Sequence, residues 1–470
     1  MSKRLILILA LAFVLGLGLA AYAEVQNVKV SGDILLRAID RRHFTLTKEV
    51  AGVGEKYSAS GLTSQVRLRV DADLTDNVSA VVRLINERSW GIEGAADEGG
   101  SADVAVDLAY VTLKEFFYSP ITLTVGRQEL RFGNGLVIGD PDTNRYADEY
   151  YVPEDLSLRK AFDAVRLTLN YEPMVVDAIY AKIDEVDELL GVPWWNTVGM
   201  RERNDVDLYG INVRYDLSAL GFKGATEAYW FSRINRENTG EYGTGTYAAD
   251  LLKTDTCHTI GLLTYGEIIK NLTGSLEGAF QWGNAASDGI NNANAERRAW
   301  AVQASLNYDL KDISAISKYS PTIGLMYATF SGDKRTNNRS TIWDPMFEDQ
   351  VVNTVVNALF PNTAVMFVSG KASCKPIEDL TLSGVYSYYW LNDIGSPWAI
   401  ANTYYGDYEV TGNRHLGHAF DLTATYDYTE DVQFGLHFSY FNPGKALDKA
   451  AGEGYKQNAR ELIGSMKITF

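Results

Sequence analysis

The sequence is short of cysteine, proline and positive charge, and each shortage excludes something. Two cysteines in 470 residues, Cys257 and Cys374, cannot frame a disulfide-stapled secreted domain. Eleven prolines leave no Pro-rich linker along which the chain could be divided. A formal net charge of −17, from 43 Lys and Arg against 60 Asp and Glu, argues against nucleic acid, whose phosphates such a surface repels. The five histidines are His43, His258, His415, His418 and His437. No acidic cluster has the spacing of a calcium loop, so neither a metal site nor a cofactor is expected.

A long apolar run is also missing, except at the start. Lys3 and Arg4 precede an apolar stretch from Leu5 to Ala20, and Ala21-Tyr22-Ala23 supplies small residues where a signal peptidase reads. Residues 1–23 are therefore expected to be a secretory signal cleaved near Ala23, with residues 24–470 as a single domain. Beyond residue 23 nothing approaches the roughly 18 apolar residues of a spanning helix.

What the chain does have is alternation. In Gln65-Val66-Arg67-Leu68-Arg69-Val70-Asp71 the even positions are apolar and the odd ones polar, and Val432 to Tyr440 and Leu462 to Phe470 repeat the pattern. Period two over about ten residues is a strand with one lipid face and one watery face. A helix would scatter the same residues around its circumference. Eighteen such segments run from 27–40 to 458–470, joined in strict alternation by eight tight turns and nine long polar loops. An even-stranded barrel with both ends in the periplasm requires that pattern. The expected fold is all-β: a transmembrane antiparallel β-barrel of eighteen strands, set among the lipid and lipopolysaccharide of a bacterial outer membrane.

Two further features fit. The chain ends Lys467-Ile468-Thr469-Phe470, which resembles the C-terminal signal read by the barrel-assembly machinery. Aromatics sort by strand end, with Tyr118, Tyr171, Tyr215, Tyr265, Tyr308, Tyr426 and Phe470 at periplasmic ends and Trp230, Trp282, Trp300, Phe330 and Trp390 at external ends. Two girdles are what a bilayer's interfaces select. Cys257 and Cys374 fall at opposite strand ends, too far apart for a disulfide, which needs Cα atoms within about 7 Å.

The period also assigns faces. Val28, Val30, Ile34 and Leu36 meet lipid. Lys29, Asp33, Arg37, Arg67, Arg69, Asp71, Arg83, Glu87, Asp107, Arg166, Arg214, Glu227 and Glu277 face the lumen. An Arg or Lys on the lipid side at mid-membrane costs about 2–4 kcal/mol, so the inward assignment is the favourable one. Lumenal arginines offer planar forks to carboxylates, and each could instead pair with a neighbouring acid to hold the wall together. His415 and His437 read as lumenal and His418 as lipid-facing. His437 and Ser439 share a strand face, a common coincidence, and no Ser, His and orienting acid converge as a hydrolase requires. An enzyme is not expected.

Val125-Gly126-Arg127-Gln128-Glu129-Leu130, followed by Phe132-Gly133-Asn134-Gly135 and by Phe162-Asp163-Ala164-Val165-Arg166-Leu167, resembles the alginate export family of outer-membrane proteins. Arg67 to Val70 and Val106 to Val111 lie upstream in the order that family shows. The resemblance implies an eighteen-stranded barrel with an arginine-rich path for an anionic uronate polysaccharide. It makes Arg127 and Arg166 pathway cations, with Glu129 and Asp163 as their orienting acids. The phase of Ile121, Leu123 and Val125 puts Arg127 and Glu129 on the lipid side, so a bulge at Gly126 is expected to turn the arginine inward. Gly133, Gly135 and Gly139 would then let the next loop bend into the pore as a constriction. Three functions fit this reading: passive passage of an anionic saccharide, a general porin for small solutes, and a plugged structural or enzymatic barrel. A periplasmic export partner cannot be named from the sequence.

Overall fold

In the computed structural model the described residues are 26–46, 58–91, 104–141, 152–184, 206–236, 254–285, 295–333, 339–393, 402–403, 406–407, 412–447 and 457–470. The expected signal segment, residues 1–23, lies outside them.

Eighteen strands build the wall. They are β1 (Asn27–Arg42), β2 (Ala59–Thr75), β3 (Val78–Ser89), β4 (Ala105–Lys114), β5 (Ile121–Glu129), β6 (Ala161–Tyr171), β7 (Met174–Asp184), β8 (Val206–Asp216) and β9 (Gly224–Asn235). The second half comprises β10 (Asp255–Ile269), β11 (Leu272–Ala285), β12 (Ala295–Asp309), β13 (Thr322–Phe330), β14 (Val365–Ile377), β15 (Leu380–Leu391), β16 (His415–Asp427), β17 (Val432–Pro443) and β18 (Ala459–Thr469). Each pairs antiparallel with its neighbours in sequence, and β1 pairs with β18 from Asp33↔Thr469 to Arg42↔Arg460. Phe470 seals the seam, exchanging backbone bonds with Gly32 at 2.8 and 3.0 Å. Closure matters because an open edge inside a bilayer leaves N–H and C=O groups with no partner.

The alternation behaves as its chemistry demands. On β1 and β2, Val28, Val30, Val66 and Leu68 are exposed on the outside, while Asp33 and Arg67 stand opposite each other inside. Trp230, Trp282 and Trp300 are exposed at external strand ends, and Tyr118, Tyr171, Tyr426 and Phe470 at periplasmic ones. Phe330 departs from its expected place in the outer girdle: it is buried inside, against Trp343. His415 departs too. The register shifts between Tyr389 and Trp390 opposite β16, and His415 stacks on Tyr388, in a cluster of rings with outward His418, not in the lumen. Both cysteines are free.

The bulge expected at Gly126 is absent. β5 runs in unbroken register against both neighbours, with Val111↔Val125, Tyr110↔Gly126 and Ala109↔Arg127 on one side and Arg127↔Asp163 on the other. Gly126 has φ +121°, and a Cβ there would lie 2.2 Å from the Ala109 carbonyl oxygen. This glycine permits close approach of β4 rather than a change of phase. The bulge sits one strand over, on β4: Arg83 faces Leu108 and Leu84 faces Val106, so Asp107 is the extra residue. Asp107 and Leu108 are consequently both buried.

Candidate functional site

Two external loops fold back into the barrel and define its interior. The first leaves β5 through Gly133 and Gly135, at φ +56° and +74°, a left-handed conformation costly for other residues. Leu130, Phe132, Leu136, Val137 and Ile138 are buried, so this stretch packs as core and not as solvated loop. Its tip reaches the wall at β9 and β11. The Gly133 N–H donates to Glu227 Oε2 at 3.1 Å, and Asn134 Nδ2 donates to Glu277 Oε2 at 2.9 Å. Glu277 also accepts from the Tyr229 hydroxyl at 2.9 Å and from Gln303 Nε2 at 2.7 Å. The returning limb of the same loop lies against the first strands, where the Leu156 carbonyl accepts from Arg37 at 2.8 Å and Asp155 pairs with Arg41.

The second loop follows β13 and includes the helix α1 (Thr354–Leu359). It was not anticipated as in-folded, although Ile342-Trp343, Met346-Phe347, Val351-Val352, Val355-Val356 and Leu359-Phe360 are an apolar density that a solvated loop has no use for. Asp344 latches it to the wall, accepting from Arg233 Nη2 at 2.6 Å and Arg297 Nη1 at 3.0 Å, while Arg297 also grips Asp255 at 3.0 Å. At the helix start, Asp421 Oδ2 accepts from the Thr354 N–H at 2.9 Å, and Ser439 Oγ accepts from the Val355 N–H at 3.2 Å. His437 Nε2 lies 2.9 Å from Thr354 Oγ1. The polar side chains His437 and Ser439 thus anchor a loop. The two loops join through backbone bonds, Phe347 N–H to Val137 O at 3.0 Å and Asp349 N–H to Gly135 O at 2.8 Å.

The arginines expected in the lumen form a row on β1 to β8, most of them paired. Arg67 donates through Nε to both oxygens of Asp33 at 2.9 and 3.2 Å. Arg69 holds Asp71 at 2.7 to 3.1 Å. Arg166 donates through Nε to Asp177 at 2.7 Å, its guanidinium 5.5 Å from the Phe132 ring centre. Arg214 lies 3.9 Å from Glu227. Arg83 bridges Asp107 and Glu129, and Arg37 donates to Gln65 and to the Leu156 carbonyl. Arg67, Arg69, Arg166 and Arg214 keep 20, 35, 35 and 47% of their side-chain surface exposed. Among the described residues the terminal nitrogens of Arg67 and Arg166 have no hydrogen-bond partner.

Arg127 and Asp163 do pair, at 3.0 Å, but on the outer face. Asp163 alternates with buried Phe162 and Ala164 and is in phase with exposed Val165. The expected inward path for Arg127 is therefore corrected: with the register intact, nothing turns it. Its expected second acid, Glu129, reaches Arg83 instead. Gly139 contributes space and not a special φ, since a Cβ there would meet Asp349 Cβ at 2.5 Å.

Several solved structures share this fold. OccAB2 of Acinetobacter baumannii has a TM-score of 0.55 at 12% identity, covering 95% of this chain and 99% of that one. OccK2 (OpdF) of Pseudomonas aeruginosa has 0.53 at 11%, with the same coverages. OccK2 in complex with glucuronate has 0.52 at 11%, again covering 95% and 99%. At such identities the likeness establishes the architecture alone. No curated protein matches the sequence. The family described as alginate export matches residues 42–459, across nearly the whole barrel. The chain therefore belongs to the alginate export family and is an outer-membrane channel.

Proposed function

We propose that this channel passes anionic saccharides of the uronate class by passive diffusion. The observation that carries the reading is the row of Arg67, Arg69 and Arg166. Each has its Nε edge fixed by one aspartate while the side chain stays accessible to water. At Arg67 and Arg166 the acid orients the guanidinium through Nε and leaves the terminal nitrogens for a passing carboxylate, whose two oxygens match the fork, while Arg69 also donates Nη2 to Asp71. Alginate, after which the family is named, and the glucuronate held by OccK2 belong to the same chemical class. Reversal potentials of single channels in a KCl gradient test it: anion preference is expected, and clear cation preference would sink the idea.

One observation favours a second reading, a porin for small solutes without polymer specificity. The two loops meet across the lumen through the Ile138↔Phe347 bridge, which narrows the path available to a chain of sugars. Liposome swelling separates the two. Uptake of glucose as fast as glucuronate, with hexuronate oligomers excluded, would favour the small-solute porin. Cleavage of the leader near Ala23 and delivery through the barrel-assembly machinery by way of Phe470 are part of the same proposal. Mass spectrometry of the outer-membrane form and removal of Phe470 test them.

A further inference from the structure

Arg131 and Lys160 stand at the two ends of the first loop, one residue past the first apolar anchor after β5 and one residue before β6, yet they converge on a single side chain of the second loop. Arg131 Nη1 engages Asp349 Oδ2 and also donates to the Asp349 carbonyl at 2.9 Å, while its Nη2 donates to the Asn134 carbonyl at 3.0 Å. Lys160 Nζ engages the other carboxylate oxygen, Oδ1, and lies 3.7 Å from Asp140. Each oxygen of one carboxylate thus has its own cation, and the guanidinium is oriented by one backbone carbonyl from each loop, Asn134 of the first and Asp349 of the second.

The seat is shaped by glycine. A Cβ on Gly135 would lie 2.6 Å from Arg131 Nη1 and 2.8 Å from the Asp349 carbonyl oxygen, and one on Gly139 would lie 2.5 Å from Asp349 Cβ. The missing Cβ atoms at these two positions leave room for Asp349 beside the guanidinium. The contact is also wet: Arg131 and Lys160 keep 48 and 35% of their side-chain surface exposed. Exposed pairs exchange partners readily, unlike the Asp344 latch.

We propose that Arg131 and Lys160 form a carboxylate-binding site at the constriction, occupied in cis by Asp349, and that a uronate carboxylate displaces Asp349 there and parts the two loops. This deepens the uronate reading and rests on it for the identity of the ligand. No covalent step is involved; one carboxylate replaces another on the same two cations.

The test uses the full barrel in planar bilayers, with sodium glucuronate as probe and glucose as control, reading the concentration that half-blocks the current. Asp349→Asn removes the internal competitor and should lower that concentration about tenfold, while Asp349→Glu should stay near the parent value. Lys160→Gln, with Asp349 and Arg131 still paired, should raise it about threefold. An unchanged half-block in Asp349→Asn overturns the site. So does a shift that survives in the triple variant Arg131→Gln, Lys160→Gln, Asp349→Asn, or a null result for Lys160→Gln should Asp349→Asn fail to assemble. The function stands apart: a cation-selective parent channel whose half-block still moves with Asp349 refutes the uronate pathway and leaves the site.

Discussion

Two arcs of the barrel interior use the same pair of groups to opposite ends. On β2 and β6, Arg67, Arg69 and Arg166 hold one aspartate each and stay in water. On β9 and β12, Arg233 and Arg297 are only 17 and 5% exposed in their side chains and share Asp255 and Asp344, the latter supplied by an in-folded loop. Pairing is common to both arcs; burial is what differs. A desolvated pair cannot lose one member without stranding the other, whereas a wet pair contributes little and can trade partners. One arc is built to fasten and the other to touch what passes.

The largest effect that could break this contrast is expected at the latch. Arg297→Gln leaves Asp344 and Asp255 sharing one guanidinium in a dry site, at a cost of about 3–5 kcal/mol. The second loop should detach, seen as a severalfold rise in single-channel conductance and earlier unfolding on heat-shift gels. A conductance equal to the parent's would show that the loop is held elsewhere. The same latch sets the acid response. Burial works against the charge on Asp344, but the guanidiniums of Arg233 and Arg297 prevail and hold its carboxyl well below the ordinary value of 3.8. A lowered value contributes stability that is complete above 3.8 and declines as pH falls beneath it. Conductance should therefore be flat from about pH 7 to pH 5 and rise only in stronger acid; a step near neutrality would contradict the latch.

Next in size is Gly126→Val. With φ +121° and the Ala109 carbonyl 2.2 Å from any Cβ, strain of about 1–3 kcal/mol should reduce the yield of assembled barrel in the outer membrane. Wild-type yield would mean that β4 can draw away. Smaller still, Arg67→Gln and Arg166→Gln should each lower the anion-to-cation permeability ratio about twofold without changing stability. Arg127→Gln sits at the end of the series: on the outer face, it should leave the reversal potential where it was. A shift as large as that of Arg166→Gln would return Arg127 to the pathway.

Much of the wall was legible. Val66, Arg67, Leu68 and Arg69 announce a strand and its two faces, and that logic placed Arg37, Arg83, Arg166 and Arg214 inside without any knowledge of their neighbours. It failed where the period is broken locally. Asp107 faces inward as expected, but a bulge brings Leu108 to the same face, and His415 left its face where the register shifts. Neither is marked in the sequence, since a bulge depends on the backbone of the partner strand. Around Gly126 the conflict of phase was visible but its resolution was not: a glycine can relieve a bulge or admit a neighbouring strand, and only the position of Ala109 selects the second.

The sequence by itself determined the strand count, the closure at Phe470 and, wherever the period runs unbroken, which side chains meet lipid, because alternation in a bilayer carries an energetic cost at every violated position. The tertiary structure alone decided what fills the barrel. That Asp349 would find Arg131 and Lys160, or Asp344 find Arg233 and Arg297, follows from two loops crossing the same space. Residues 47 to 218 positions apart have no periodicity in common, and their meeting is set by the diameter and curvature of the wall that confines them.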